Sequence, residues 1–192
     1  MTGKNEMPGT VYISFTAPID LKTAQSLNSI MFQKIEEGFD HLYLMFSTGG
    51  GDVASGLTIY NTIRSMPAKV TIHNVGNVDS IGNAIFLSGK ERFTCKHATF
   101  MFHGVARQLN GWTEEKPLRT ALDFVLADQL RIGSIIAENT SLPLEEITDL
   151  FSAAQTKDAD FAVKFGMAHG VKDVIIPPGS PVIPLVFDHV ST

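Results

Sequence analysis

Cysteine is almost missing from this chain. Cys95 is the single thiol among 192 residues, which excludes an intrachain disulfide and any cysteine-rich metal site. Charge is sparse at 18% of residues, and its basic part is nowhere concentrated. Fifteen Lys and Arg against twenty Asp and Glu leave a net charge of −5 with no Lys/Arg block, so nucleic acid and anionic membrane are poor partners. No apolar run reaches the length of a membrane span. Residues 1–9 are polar and lack the apolar stretch of a signal peptide, so a cytoplasmic location is expected. No His/Glu or carboxylate cluster has the spacing of metal ligands, and neither metal nor cofactor is expected. Linkers and low-complexity stretches are missing too. The expectation is one domain over 1–192, with 1–9 as a short N-terminal segment and 177–192, which carries four prolines and no period, as an extended tail.

What is present is an apolar fraction of 44%, enough for a substantial core and for surface that could face other subunits. Residues 11–15 alternate as a strand. Asp20 can cap a helix over 22–37, where Leu27, Met31 and Ile35 repeat every fourth residue, and Gly38 stops it. Residues 41–46 form a continuous apolar strand of the kind buried on both faces. It runs into Ser47-Thr48-Gly49-Gly50-Gly51, after which Asp52 can cap a helix ending before Pro67. A third strand, 70–75, meets Gly76-Asn77-Val78-Asp79-Ser80-Ile81-Gly82-Asn83, read as a tight glycine turn leading to a helix that begins at Ser80. Short strands come next at 92–95 and 98–104, then an irregular arm to Lys116. A long helix is expected from Pro117 to about Asn139 with Leu118, Leu122, Val125, Leu126 and Leu130 along one stripe. Pro143 opens a short helix, Asp158 can cap another over 159–165 closed by Gly166, and 171–176 reads as a last strand. Strands alternating with helices predict an α/β fold of repeated strand–turn–helix units with parallel pairing.

In open α/β sheets ligands bind at the carboxyl ends of strands. Three such ends carry chemistry: the glycine triplet 49–51, the turn bearing Ser80, and His103. A hydrolase needs a nucleophile, a base within hydrogen-bond reach and a preformed oxyanion site. Ser80, His103 and the N–H groups of Gly50 and Ile81 supply these if the three ends converge. A helix-start serine also serves as an ordinary N-cap. His41, His73, His97, His169 and His189 compete with His103, and spacing alone does not separate them. Asp52 and Asp158 fit capping better than catalysis. The glycine triplet lacks the Lys-Ser/Thr of a phosphate loop and the spacing of a dinucleotide fingerprint.

Together these turns resemble the ClpP family, the proteolytic subunit of the ATP-dependent Clp protease, within the wider crotonase-like fold. The likeness spans about 11–174. Ser47-Thr48-Gly49-Gly50-Gly51-Asp52-Val53 stands where that family has Asn-Ser-Pro-Gly-Gly, and Ile59-Tyr60-Asn61-Thr62-Ile63 continues it. Gly76 to Gly82 matches the nucleophile turn, Met101-Phe102-His103 the segment with the catalytic histidine, and residues 159–166 the Ala-x-x-Ala-x-x-Tyr-Gly helix. The resemblance implies a ClpP/crotonase-like fold and a serine endopeptidase acting on small or unfolded polypeptides. Ser80 would attack the carbonyl, His103 would carry the proton, and Gly50 and Ile81 would hold the oxyanion. It further implies homo-oligomeric rings enclosing a chamber, with the long 118–139 helix and the arm before it between rings, and an AAA+ unfoldase as partner.

The departures are specific. Anchoring on Ala159 and Gly166 puts Ala154 where the family's catalytic aspartate stands, with Asp149 and Asp158 the nearest carboxylates. Asp79 precedes the nucleophile where a small residue is usual, Gly49 replaces the turn proline, and Gly104 succeeds His103 without the usual Gln-Pro. The short segment before the first strand leaves little chain for loops that dock an unfoldase. Two alternatives stand beside the peptidase: a weak or inactive ring subunit or scaffold, and a crotonase-type acyl-CoA enzyme, against which counts the lack of a suitable carboxylate pair.

Overall fold

The computed structural model describes residues 9–109 and 111–187; most of the 1–9 segment, Asn110, His189 and the end of the tail lie outside them. Strand β1 (Thr10–Thr16) leads to helix α1 (Leu21–Glu36), which Asp20 opens with a capping box: its carboxylate accepts the Thr23 N–H and the Thr23 hydroxyl accepts the Asp20 N–H. Such a cap stabilises a helix by about 1 kcal/mol. Gly38 closes it in the left-handed region, at φ +97°. Strand β2 (His41–Thr48), helix α2 (Val53–Ser65), strand β3 (Lys69–Asp79) and helix α3 (Ile81–Leu87) come next, so the strand–turn–helix unit recurs as expected. Strands β4 (Glu91–Thr94) and β5 (Thr99–Met101), helices α4 (Glu115–Asn139) and α5 (Leu144–Ser152), strand β6 (Thr156–Lys157), helix α6 (Ala159–Lys164), and strands β7 (Gly170–Val171) and β8 (Val182–Leu185) complete the order.

The sheet runs β6-β5-β3-β2-β1-β8, with β4 and β7 branching from β3, and every pairing is parallel except β5 with β6. One face carries Val11, Ile13, Phe15, Leu42, Leu44, Phe46, Val70 and Ile72, all buried under the helices. Its other face carries Tyr12, Tyr43 and His73, also buried, beneath the chain that leaves β7. The Tyr12 hydroxyl donates to the Ile175 carbonyl (3.4 Å), the His73 Nε2–H to that of Lys172 (3.0 Å), and Lys172 Nζ stands 3.3 Å from the Phe93 ring centre.

Four details depart from the sequence reading. Residues 76–79 are not a turn: β3 continues through them, bulged between Asn74 and Val78, and pairs with β5. Gly76 is there for close approach, since a Cβ would stand 2.9 Å from Ser47 Oγ. The long helix begins at Glu115, before Pro117, which sits in the first turn where its missing N–H has no intrahelical partner to lose. Regular pairing in the last expected strand stops at Val171. Finally, the tail contains β8, parallel to β1 at the sheet edge, where Pro184 is tolerated because an edge strand need not donate on both sides.

Candidate active site

Ser80 sits alone between β3 and α3 with φ 57° and ψ −125°, a combination that costs a non-glycine residue about 1–3 kcal/mol. Its side chain makes no capping hydrogen bond, which removes the plain N-cap reading. A strained serine at a sharp strand-to-helix turn, its hydroxyl spared from local bonding, has the form of a nucleophile elbow. The elbow is tight on every side. Cβ atoms on Gly56 or Gly82 would collide with Ile81 or Thr48, and one on Gly50 would lie 2.7 Å from Ser80 Cβ and 2.9 Å from the Asp79 carbonyl. The glycine turn after β2 is therefore pressed directly against the serine, with Gly50 at φ +83°.

His103 arrives from the neighbouring strand. Asp79 pairs with Met101, the Ser80 N–H donates to the Met101 carbonyl (2.9 Å), and His103 lies two residues further on. Of the other described histidines, His41 sits between Thr10 and Thr71, His73 is buried against Tyr43 and the Lys172 carbonyl, His169 lies beside the Arg92 N–H, and His97 is on a distant exposed turn. Among the described histidines only His103 shares the strand end with Ser80. Its Nδ1 is 2.7 Å from the Gly104 carbonyl. A carbonyl can only accept, so Nδ1 carries a proton, and it is Nε2 that keeps the lone pair in the neutral ring.

The antiparallel register places Phe100 opposite Lys157 and Met101 opposite Thr156, and the Phe102 N–H donates to the Gln155 carbonyl (2.8 Å). Beyond that bond the register ends: the Gly104 N–H donates to the Phe151 carbonyl (3.1 Å) and the Ala154 N–H turns back to the same carbonyl (3.3 Å), which puts Ala154 in the turn between α5 and β6. Ala154 is exposed and has φ +48°. The carboxylates near it in sequence are engaged elsewhere: Asp158 accepts the Phe161 N–H as the N-cap of α6 (2.9 Å), and Asp149 is exposed on α5. Asp52 likewise caps α2 through the Ser55 N–H (2.8 Å). Asp79 is tied back along its own strand, its carboxylate accepting from the Asn77 amide at 2.5 Å while that amide also donates to the Thr48 carbonyl.

The backbone amides expected to hold an oxyanion, those of Gly50 and Ile81, differ in their hydrogen bonding. Ile81 N–H, the first of α3, has no acceptor among the described residues and stands beside the nucleophile, as a helix N-terminus requires. The Gly50 N–H, by contrast, donates to Thr48 Oγ1 (3.1 Å). The neighbouring Gly51 N–H has no acceptor among the described residues, while its backbone bridges Ile19 on the opposite side. Next to Gly50, the Gly51 N–H is therefore an amide of the glycine turn left available to a ligand. Sequence cannot choose between adjacent glycines, because the choice rests on the Thr48 hydroxyl.

A cavity of about 340 Å³ opens beside this turn, lined by Gly51, Val53, Val105, Arg107, Phe124 and Asp128. It lies between the glycine turn and the chain that follows His103. One further buried group was unread in the sequence: Asn83, fully buried, donates from Nδ2 to the Met101 carbonyl (2.8 Å) while its Oδ1 has no partner. An unmet buried acceptor costs about 1–3 kcal/mol. Among the described residues no group of three or more His, Cys, Asp or Glu is placed to hold a metal ion, and no helix is long and apolar enough to cross a membrane.

Comparison with known proteins gives these features a family. The profile of the family described as Clp protease matches residues 4–174. The ATP-dependent Clp protease proteolytic subunit of Streptococcus salivarius is 27% identical over 138 residues, 70% of each chain, and that of Streptococcus pneumoniae (strain Hungary19A-6) is 28% identical over the same length. A solved mutant of ClpP1 from Listeria monocytogenes superposes with a TM-score of 0.76 at 19% identity, covering 85% of this chain and 91% of that one, which speaks for the fold. With a profile matched over most of its length and an α/β sheet that superposes on a solved relative, the chain belongs to the Clp protease family of serine peptidases.

Proposed function

We propose that this chain is a serine endopeptidase subunit in which Ser80 is the nucleophile, His103 the general base and then acid, and the Ile81 and Gly51 amides the oxyanion donors. The observation that carries the reading is the elbow: a strained serine whose hydroxyl makes no local bond, on a strand paired to the one that delivers His103. Ser80 Oγ attacks the scissile carbonyl as its proton passes to His103 Nε2. The carbonyl oxygen, now negative, takes the two N–H groups, and the proton then goes to the leaving amine. Water repeats the sequence on the acyl-enzyme and frees the new carboxyl terminus. The Gly104 carbonyl holds His103 in the tautomer this needs, though without the charge a carboxylate would contribute.

Small or unfolded polypeptides are the proposed substrates, cut inside a chamber formed by rings of this chain. The support for rings is α4, which exposes Leu118, Leu122, Phe124, Leu126 and Leu130 over its first sixteen residues, with Trp112 fully exposed before it. An ATP-dependent unfoldase is the partner that the relatives' names suggest, and the cytoplasm the proposed location.

Purified protein treated with a fluorophosphonate should gain a covalent adduct that peptide mapping places on Ser80, with Ser80→Ala unlabelled and unable to cleave a fluorogenic peptide. An unlabelled wild type, or labelling that persists in Ser80→Ala, ends this reading.

A further inference from the structure

We infer that Asn83 is a positioning residue, the clamp that fixes His103 relative to Ser80; this rests on Ser80 and His103 being nucleophile and base. The strand that carries the histidine is weakly held. β5 is three residues long, and the described residues between it and α4 have no regular structure. It pairs with only three residues of β3, Asn77 to Asp79, just beyond the bulge that β3 makes against β2. Two buried asparagines add side-chain donors at its two ends. Asn74 Nδ2 donates to the Thr99 carbonyl (2.8 Å) and Asn83 Nδ2 to the Met101 carbonyl (2.8 Å).

The two differ in a way that separates structure from function. Asn74 is fully used, since its Oδ1 also accepts the Gly76 N–H (3.1 Å). Asn83 is fully buried with its Oδ1 unpaired, an arrangement that selection for stability alone would replace with a small apolar residue. What Asn83 does accomplish is local to the chemistry. The Met101 carbonyl accepts from Ser80 N–H and from Asn83 Nδ2 together, so two residues at the start of α3 grip one oxygen, and only Phe102 separates that oxygen's residue from His103. A trypsin-type site steadies its histidine with a carboxylate. Here Ala154 holds the place where the resemblance expects that carboxylate, and backbone anchoring through Met101 takes over the task.

Two variants test this, Asn83→Ala and Asn83→Asp, the second keeping the shape but turning an acceptor toward the Met101 carbonyl. Hydrolysis of p-nitrophenyl acetate should show kcat lowered by at least about tenfold with KM nearly unchanged, as expected when a reacting group is displaced by a fraction of an ångström. Fluorophosphonate labelling of Ser80 should slow in parallel, while the Tm of Asn83→Ala stays level or rises. A merely structural asparagine would give the reverse, a lower Tm with kcat intact, and that result overturns the inference. Crystal structures of wild type and Asn83→Ala decide the matter even if the wild type proves inert, in which case the peptidase reading fails by itself. Loss of the His103 Nδ1 to Gly104 bond or displacement of residues 101–103 in the variant supports the clamp, and unchanged positions overturn it.

Discussion

At Ala154 two facts meet. It directly precedes Gln155, whose carbonyl takes the Phe102 N–H next to His103, and its backbone is left-handed, a region alanine occupies at a cost and aspartate or asparagine more readily. The site thus keeps the backbone of a short polar residue while holding a methyl group. Ala154→Asp is expected to raise kcat on a fluorogenic peptide by at least about tenfold, part of the roughly ten-thousand-fold that trypsin-type enzymes lose when the orienting carboxylate goes. Its Tm should not fall. Equal rates for the two proteins would mean that the Gly104 carbonyl already orients His103 fully. The roles proposed for Ser80, His103 and Ile81, and the departure at Ala154, rest on motif order and spacing that the sequence itself displays. Those of Gly51 and Asn83 do not. Which of two adjacent glycine amides is free depends on where Thr48 turns its hydroxyl, and a buried helix asparagine has no sequence signature that separates packing from anchoring.

At the scale of elements, the parallel units and most helix caps could be read from periodicity and capping residues, while the errors fell where tertiary contacts override composition. Gly76, Asn77 and Asp79 are turn formers by type, yet β3 runs through them because Asn74 spans the bulge and Gly76 admits Ser47. The tail reads as coil from its prolines, yet an edge beside β1 takes four of its residues. α4 is the reverse case, since its stripe was visible but its burial was not. Only Ile132, Gly133 and Ile136 of the helix are buried, all in its second half. Leu118, Leu122, Leu126 and Leu130 recur every fourth residue ahead of these, an apolar stripe that a lone helix in water would not favour. Replacing Leu122 and Leu126 with glutamate should leave the circular dichroism of the fold intact and shift sedimentation from an assembly to smaller species. If the doubly substituted protein sediments like wild type, α4 is not the contact between copies.

For the whole molecule, the second face of the sheet makes stability depend on pH. His73 lies fully buried there, joined through Nδ1 to the Tyr43 hydroxyl (2.7 Å) and through Nε2–H to the Lys172 carbonyl, with Cys95 Sγ at 3.6 Å and the Lys172 and Asp173 charges nearby. Burial pushes its pKa down to about 4. In the unfolded chain the value is about 6.5. Above that pH both states are neutral and His73 has no effect on stability through titration. As pH falls from 6.5 toward 4, the unfolded chain binds a proton that the folded one refuses, so stability drops by up to about 1.4 kcal/mol per unit, about 3 kcal/mol in all. His41 and His169, also held below their usual value chiefly by burial, steepen the same window. Glu91, lowered by its bond to Lys69, loses its contribution only further down, as pH falls through its folded value below the ordinary carboxylate range. Between pH 6.5 and 4.5 the histidines therefore govern. The structural consequence is directional: a protonated ring cannot accept from Tyr43, so the chain from Lys172 across to β8 loses its hold before the helical core does. Urea unfolding at pH 7 and pH 4.5 should show the wild type losing about 2–3 kcal/mol, and His73→Gln, which can still donate to Lys172 and accept from Tyr43, losing distinctly less. Hydrogen exchange at pH 4.5 should be fastest to rise at Tyr12 and Val182–Leu185. Parallel losses in the two proteins would move the acid sensitivity away from this face.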